Sequence, residues 1–492
     1  MKALKEYYKQ HPLTVILAVG FLFRMVSVIF AKGYGMHDDH FLIIETSRSW
    51  ASNWDFQHWI YDNPRGHSFT YPLLMFFLFK VLGVLGIENL DTQMYIVRFL
   101  HAIYSLLTIY FAYKITLKAT KRQDLSNIAA WFMAIFWCMP WLSVRNLVEI
   151  TCIPLLLLST YLYIRHEQPS LKDAFLSGMI MALALAFRFQ VVFFIGGFGL
   201  SMLIYRQYKQ AIVWSLAIVI VFFLTQISDI FIWHKPFAEL QEYVLYNFYH
   251  SSEYPQGGFF KYFGVLLGVL VPPISAFLLL GFAYGYRRLV LFLPALCFFL
   301  FHSIFPNKQE RFIFPILPFI VILGIIGLNE LVNKSSKSLL KKTIRVCFKI
   351  SLGINAVLIL PTTIHYSKSA RVQSMKYMSK FAPNVRSFLV ENTVDKHTIK
   401  MPRTYAMQYL EQYNYIDSTA NLDKKSMIEP SFVMFSSDKN LDYRVQKMRK
   451  FYPNLVYQTT IKPSLIDDLL RKINHHNRNY PIIIYRNTDV IK

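Results

Sequence analysis

Cysteine is scarce in this chain and acidic residues are outnumbered. Cys138, Cys152, Cys297 and Cys347 are the four cysteines in 492 residues, and all fall inside apolar segments. They show neither zinc-ligand spacing nor the pattern of a secreted disulfide framework, so they read as small core residues. Aspartate and glutamate total 29 against 52 lysines and arginines, a formal net charge of +23. No internal repeat is visible, and no Asp-x-Asp flanked by further ligands.

Apolar residues are abundant. The chain is 54% hydrophobic and 17% aromatic, with a mean hydropathy of +0.33, too apolar to bury its surface in a soluble core. A membrane is the expected solvent. The positive charge lies in the connections between apolar runs, where it reads as a topology signal, and this excludes nucleic acid as a partner.

Apolar windows of spanning or near-spanning length run from Pro12 to Ala31, Tyr71 to Leu85, Met94 to Leu117, Ser126 to Leu142, Val148 to Ile164, Ala174 to Phe187, Val191 to Tyr205, Ala211 to Trp233, Tyr262 to Tyr284, Leu289 to Phe305, Phe312 to Val332 and Ile344 to Pro361. The expectation is an α-helical polytopic membrane protein with about 11–12 membrane helices. The first window follows basic residues, as in a signal peptide. It has spanning length and no small-residue cleavage site after it, so it is expected to be retained. Placing the basic connections Lys118 to Arg122, Arg165 to Lys172, Arg206 to Lys209, Tyr284 to Arg288 and Lys334 to Arg345 on the cytoplasmic side with the N-terminal tail lets the windows from Met94 alternate. The short window Tyr71 to Leu85 breaks the parity and is read as re-entrant or half-embedded, with twelve crossings as the alternative. The loop 32–70 is external either way.

From about Met375 the pattern changes to short β-branched runs, SFVMF, LVYQTTI and PIIIY, with amphipathic stretches such as Leu465 to Ile473 between them. Residues 1–370 are therefore expected to form the multispanning domain, and 371–492 a small soluble α/β domain.

Polar clusters gather on the connections assigned outside: GMHDDHFLIIE from Gly35, RGHSFTYP from Arg65, RNLVE from Arg145, RFQ from Arg188, Asp229 to Asn247, and His302 to Arg311. Ionisable groups near membrane depth are costly, so functional use is the default reading. Asp38 and Asp39 follow the first window directly; a paired acid offers one base and one orienting group, and alone it also reads as a solvated loop start. Each arginine has snorkelling to the interface or an internal salt bridge as its bland alternative. Arg24, inside the first window, must find a carboxylate, a donor or the surface.

The segment NKQERFIFP from Asn307 resembles the "HKE-RF-YP" element of polyprenyl-phosphate-mannose-dependent mannosyltransferases, the multispanning GT-C family that elongates glycosylphosphatidylinositol anchors and lipid-linked N-glycan precursors. HDDHFLIIE is similar to that family's PDE-x-FQ-x-x-E, keeping Asp38, Asp39, Phe41 and Glu45 while His37 and Leu42 replace the Pro and Gln. RGHSFTYP resembles RS-x-x-YP with two extra residues. Arg145, Asn146 and Glu149 resemble RT-x-x-N-x-x-E with the Asn displaced. Asp229, Trp233, Asn247, Tyr254 and Tyr262 match an Asp-led segment, although Gln256 to Phe259 replaces Gly-Thr-His-Trp. The matches keep the family's order from Gly35 to Pro318.

The resemblance implies a GT-C-like fold and an inverting transfer of mannose, or a related sugar, from a polyprenyl phosphate to a glycan or glycolipid on the non-cytoplasmic face. It implies Asp38 as base with Asp39 beside it, and Arg311, Lys308 and Arg188 on the donor phosphate. Glu45, Arg65, Arg145, Asp229, Asn247, His302 and Glu310 are the other candidates. No metal and no cofactor are required, since fixed cations can stabilise a lipid monophosphate leaving group. The short chain and simple C-terminal domain favour a bacterial inner membrane over the endoplasmic reticulum. The alternative is a transporter or flippase of a lipid-linked or polar solute; the missing repeat and the one-sided polar groups argue against it. A non-catalytic scaffold is the third reading.

Overall fold

The structure, a computed structural model, describes residues 2–37, 39–52, 68–334, 338–419, 421–422, 427–474 and 477–491. Asp38 and Arg65 lie outside the described residues. The chain divides into two compact units, one of Met1–Val28, Trp59–Tyr71 and Val97–Ile364, the other of Ile29–His58, Pro72–Ile96 and His365–Lys492.

In the first unit, apolar composition is resolved into helices that satisfy their own backbone, as hydrocarbon surroundings demand. Among the described residues of the whole chain, five helices are long and apolar enough to cross a membrane: Pro12–Phe30, Leu90–Thr120, Tyr208–Trp233, Glu310–Lys334 and Leu339–Thr363. The pair Lys261–Val269 and Ile274–Arg287 makes a sixth if taken as one broken span, bent by 119°. Pro272 and Pro273 sit in the break, where proline removes amide donors and disfavours helical geometry in the residue before it. Thr70–Val84, Val148–Ile164, Phe189–Ile204 and Leu289–Ile304 are shorter apolar helices.

Small residues let these helices pack backbone to backbone. Ile274–Tyr284 lies against Leu317–Lys334, and a Cβ placed on Gly327 would sit 1.9 Å from the Gly281 carbonyl oxygen. Neither backbone can yield without parting the helices, the close approach that small residues permit in membranes. Gly327→Ala is expected to cost about 1–3 kcal/mol of stability. A lowered midpoint of thermal unfolding in detergent would show it; an unchanged midpoint would contradict the packing.

Arg24 has its partners inside the same unit. Its guanidinium donates to Ser105 Oγ (2.8 Å), Gly20 O (3.0 Å), Ala134 O (3.1 Å) and Met133 O (3.1 Å). Met133 and Ala134 lie in the last turn of the helix Gln123–Ile135, whose carbonyls lack intrahelical donors. Arg24 therefore caps a helix end with its charge; it is buried and meets no carboxylate among the described residues.

The second unit carries a five-stranded sheet in the order β2-β1-β3-β5-β4. The strands are β1 Ser387–Glu391, β2 Glu411–Tyr415, β3 Phe432–Ser436, β4 Leu455–Ile461 and β5 Ile482–Asn487. β1 pairs in parallel with β2 and β3, while β5 runs antiparallel to both β3 and β4. β1 and β3 are buried throughout, as central strands covered on two faces require. Leu389, Val433, Phe435, Ile483, Val445 and Met448 form the core of this sheet.

Candidate active site

Three residues distant in sequence meet within the first unit. Glu149 opens the helix Val148–Ile164. Arg188 stands where the helix Leu171–Phe187 stops, its backbone turned extended at φ −150° and ψ 107°. Arg311 belongs to the 3-10 turn Glu310–Ile316. All three are buried. Glu149 Oε1 receives Arg188 Nη1 at 2.5 Å and Arg311 Nε at 3.5 Å, and Phe312 presents its ring to both guanidiniums, at 5.0 and 5.6 Å. One carboxylate thus stands between two guanidiniums, leaving a surplus positive charge in an apolar setting.

Arg188 Nε and Nη2 have no hydrogen-bond partner among the described residues, and neither has Glu149 Oε2. Those two nitrogens form one edge of the guanidinium, with parallel N–H donors spaced to grip two oxygens of a phosphate or carboxylate. Leaving such a pair buried and unmet is costly, so the edge is suited to an anion that arrives.

Among the described residues, Lys308, Arg145 and His302 are already engaged. Lys308 Nζ donates to His302 O at 2.8 Å and Ser303 O at 2.5 Å, closing the end of the helix Leu289–Ile304. Burial first, and Lys261 second, draw its ammonium below the ordinary lysine value. His302 Nδ1 donates to Phe298 O (2.8 Å), which leaves Nε2 as a buried acceptor without a hydrogen bond among the described residues. Gln309 Oε1 accepts from Arg311 Nε at 3.0 Å. Glu310 is exposed and faces Lys261 Nζ at 3.6 Å. Arg145 is buried with its guanidinium 4.2 Å from the Trp141 ring. Asn247 donates to Tyr243 O of its own helix, Ala238–His250.

Asp229 belongs to a buried acid pair. Its Oδ2 accepts from Glu239 N (3.1 Å), and Glu239 Oε2 accepts from Phe69 N (2.8 Å). Burial first, and the Asp229 charge next, raise the Glu239 carboxyl well above the ordinary glutamate value. The folded chain therefore holds this proton more tightly than the unfolded chain. Its contribution to stability is full below the unfolded glutamate pKa and is lost as pH rises towards the raised folded value. Glu239→Gln keeps an acceptor for Phe69 and removes the titration, so it should flatten the decline of unfolding temperature that sets in as pH rises above the ordinary glutamate range. An identical slope in wild type and variant would contradict the assignment.

In the second unit, Asp39 begins a π-helix, Asp39–Glu45, that continues into the helix Thr46–Ser52. Such wide turns are rare and concentrate at functional sites. Asp39, His40 and Glu45 are buried. Glu45 Oε1 accepts from Thr404 N at 3.2 Å and lies 3.6 Å from His40 Nε2, while His40 stacks between Tyr34 and Tyr405, with centroids 4.8 and 5.6 Å away. Glu45 and His40 fasten the acidic segment to the turn Arg403–Ala406.

The sequence matches Glu149 with Arg145 and Asn146 but gives it no role in the site, and it does not single out Glu239 at all. A carboxylate in the first turn of an apolar helix was the available signal for Glu149. Glu239 had no comparable signal, because its environment depends on Asp229 and Phe69, far apart in sequence. Among the described residues, no three His, Cys, Asp or Glu side chains gather as a metal-ligand group.

Three solved structures share this fold. ArnT from Cupriavidus metallidurans bound to undecaprenyl phosphate is 12% identical with a TM-score of 0.59, over 96% of this chain and 97% of that one. The Archaeoglobus fulgidus oligosaccharyltransferase is 13% identical with a TM-score of 0.57, over 91% and 72%. The arabinofuranosyltransferase AftD from Mycobacteria is 12% identical with a TM-score of 0.54, over 97% of this chain and 40% of the larger protein. A mostly helical body with several apolar helices and a small C-terminal sheet gives this chain the GT-C fold. The profile of the Alg9-like mannosyltransferase family matches residues 15–403, and the chain belongs to that family. No individual curated protein matches it in sequence.

Proposed function

We propose that this protein transfers mannose, with inversion, from a polyprenyl-phosphate donor to a glycan or glycolipid acceptor at the non-cytoplasmic face of a bacterial inner membrane. The open Nε/Nη2 edge of Arg188, beside Arg311, carries the reading, because a departing lipid phosphate needs forked donors in a dry site. The presence of undecaprenyl phosphate in ArnT, a protein of the same fold, supports a donor of that chemistry. Asp38, with Asp39 beside it, takes the proton from the acceptor hydroxyl. That oxygen then bonds to the sugar C1 as the C1–O bond to phosphate breaks, and the bonding pair leaves with the phosphate. The electron count closes on a lipid monophosphate held by the open edge of Arg188 beside Arg311, a pair whose charge exceeds that of Glu149 by one.

The test is transfer of radiolabelled mannose by the purified protein in nanodiscs, with polyprenyl-phosphate mannose or a nucleotide-activated mannose as donor. Product should form from the lipid donor alone. Transfer from the nucleotide sugar and none from the lipid would overturn the proposal.

A further inference from the structure

The helix Leu465–Ile473 reverses the ordinary pattern of a soluble domain. Its sequence, LIDDLLRKI, is amphipathic, and such a helix normally turns its apolar stripe inward. Here the residue of this helix that is buried is Asp467. Leu465 is 91% exposed, Leu469 57% and Ile473 71%, and this i, i+4, i+8 stripe is widened by the exposed Leu470.

The inward carboxylate fixes how the helix is held. Asp467 Oδ1 accepts from Asn479 Nδ2 at 2.9 Å and pairs with His365 Nε2 at 3.1 Å. The Ser464 hydroxyl caps the helix through Asp467 N at 3.2 Å. On the polar side, Asp468 is paired with Arg471 (2.6 Å) and Lys472 (2.9 Å), which leaves one surplus positive charge there.

His365 supplies the argument for what covers the stripe. It follows Thr363, the last residue of an apolar helix long enough to cross a membrane, by two residues, and two residues of chain reach at most about 7 Å. The partner of Asp467 is therefore tethered at the end of a membrane helix, where headgroups begin. A helix with one apolar face and a net positive polar face at that level suits the boundary between anionic headgroups and acyl chains. We propose that Leu465–Ile473 lies in the bilayer interface with Leu465, Leu469, Leu470 and Ile473 inserted among the lipids, holding the C-terminal domain to the membrane surface.

The test uses the full-length protein in nanodiscs of three parts phosphatidylcholine to one part phosphatidylglycerol. With the four native cysteines replaced, nitroxides are placed singly at Leu465, Asp468, Leu469, Lys472 and Ile473. Collisions with oxygen should exceed those with a water-soluble nickel chelate at Leu465, Leu469 and Ile473, and the order should reverse at Asp468 and Lys472. Nickel-dominated collisions at all five positions would overturn the proposal, as would dipolar broadening between labels on two copies. If the cysteine-free chain fails to fold, a photoreactive amino acid at Leu469 in the native chain should yield phospholipid adducts. Adducts to protein alone, or none to lipid, would equally overturn it.

Discussion

Asp38→Asn is expected to abolish nearly all sugar transfer, lowering kcat by about 10²–10⁴-fold, the usual contribution of a positioned base. The change is nearly isosteric and removes the carboxylate's ability to take a proton. Donor binding should survive, so KM for the lipid donor should move little while kcat collapses. Asp39, already buried at the first turn of the π-helix, is expected to act on Asp38 rather than on the acceptor. Asp39→Asn should therefore cost less and shift the pH dependence of the remaining activity. Steady-state kinetics of both variants checks this; wild-type transfer by Asp38→Asn would remove the base.

Replacing Arg188 by lysine should cost about 10²–10³-fold in kcat, roughly the loss seen when one donor to a developing anion is deleted. Lysine keeps the charge and loses the fork, so the substitution separates electrostatics from geometry. Glu149 explains why the charge alone is insufficient. Its Oε1 takes Arg188 Nη1 and approaches Arg311 Nε, which fixes the guanidiniums while leaving the Arg188 Nε/Nη2 edge without a hydrogen bond among the described residues. A lysine there would pair with Glu149 and present no second pair of donors. Single-turnover measurements with lipid-linked donor distinguish the outcomes, and near-normal chemistry in Arg188→Lys would show that the fork is dispensable.

Membrane class and fold were legible in the sequence because they rest on run length and on where charge is excluded. The breaks inside the runs were harder to see. Tyr262 to Tyr284 reads as one window, yet Pro272 and Pro273 divide it into two helices at a steep angle. SFVMF, LVYQTTI and PIIIY announced β3, β4 and β5 through β-branched alternation. The edge strand β2, EQYNY, did not, since pairing with β1 and not side-chain composition makes it a strand.

The candidate site was legible in its residue types and less so in its pairings. Arg188 and Arg311 stood out as charges between apolar runs, but their meeting on Glu149 joins positions that no local pattern relates. Lys308 looked like the cation for the phosphate, whereas its ammonium is engaged by the His302 and Ser303 carbonyls. Arg24 looked like a charge seeking a counter-charge and is instead satisfied by helix-end carbonyls and a serine. Such burials need the tertiary structure, because a free carbonyl leaves no mark in the sequence.

The most direct test of the account is native mass spectrometry of polyprenyl phosphate bound to wild type and to Arg188→Gln and Arg311→Gln variants, each checked for folding by its unfolding temperature. One lipid phosphate should bind per wild-type chain, and the folded variants should bind at least about tenfold more weakly, the loss of about 1.4 kcal/mol or more expected when a charge-assisted hydrogen bond is removed. Equal retention of the lipid phosphate by wild type and both folded variants would contradict the account.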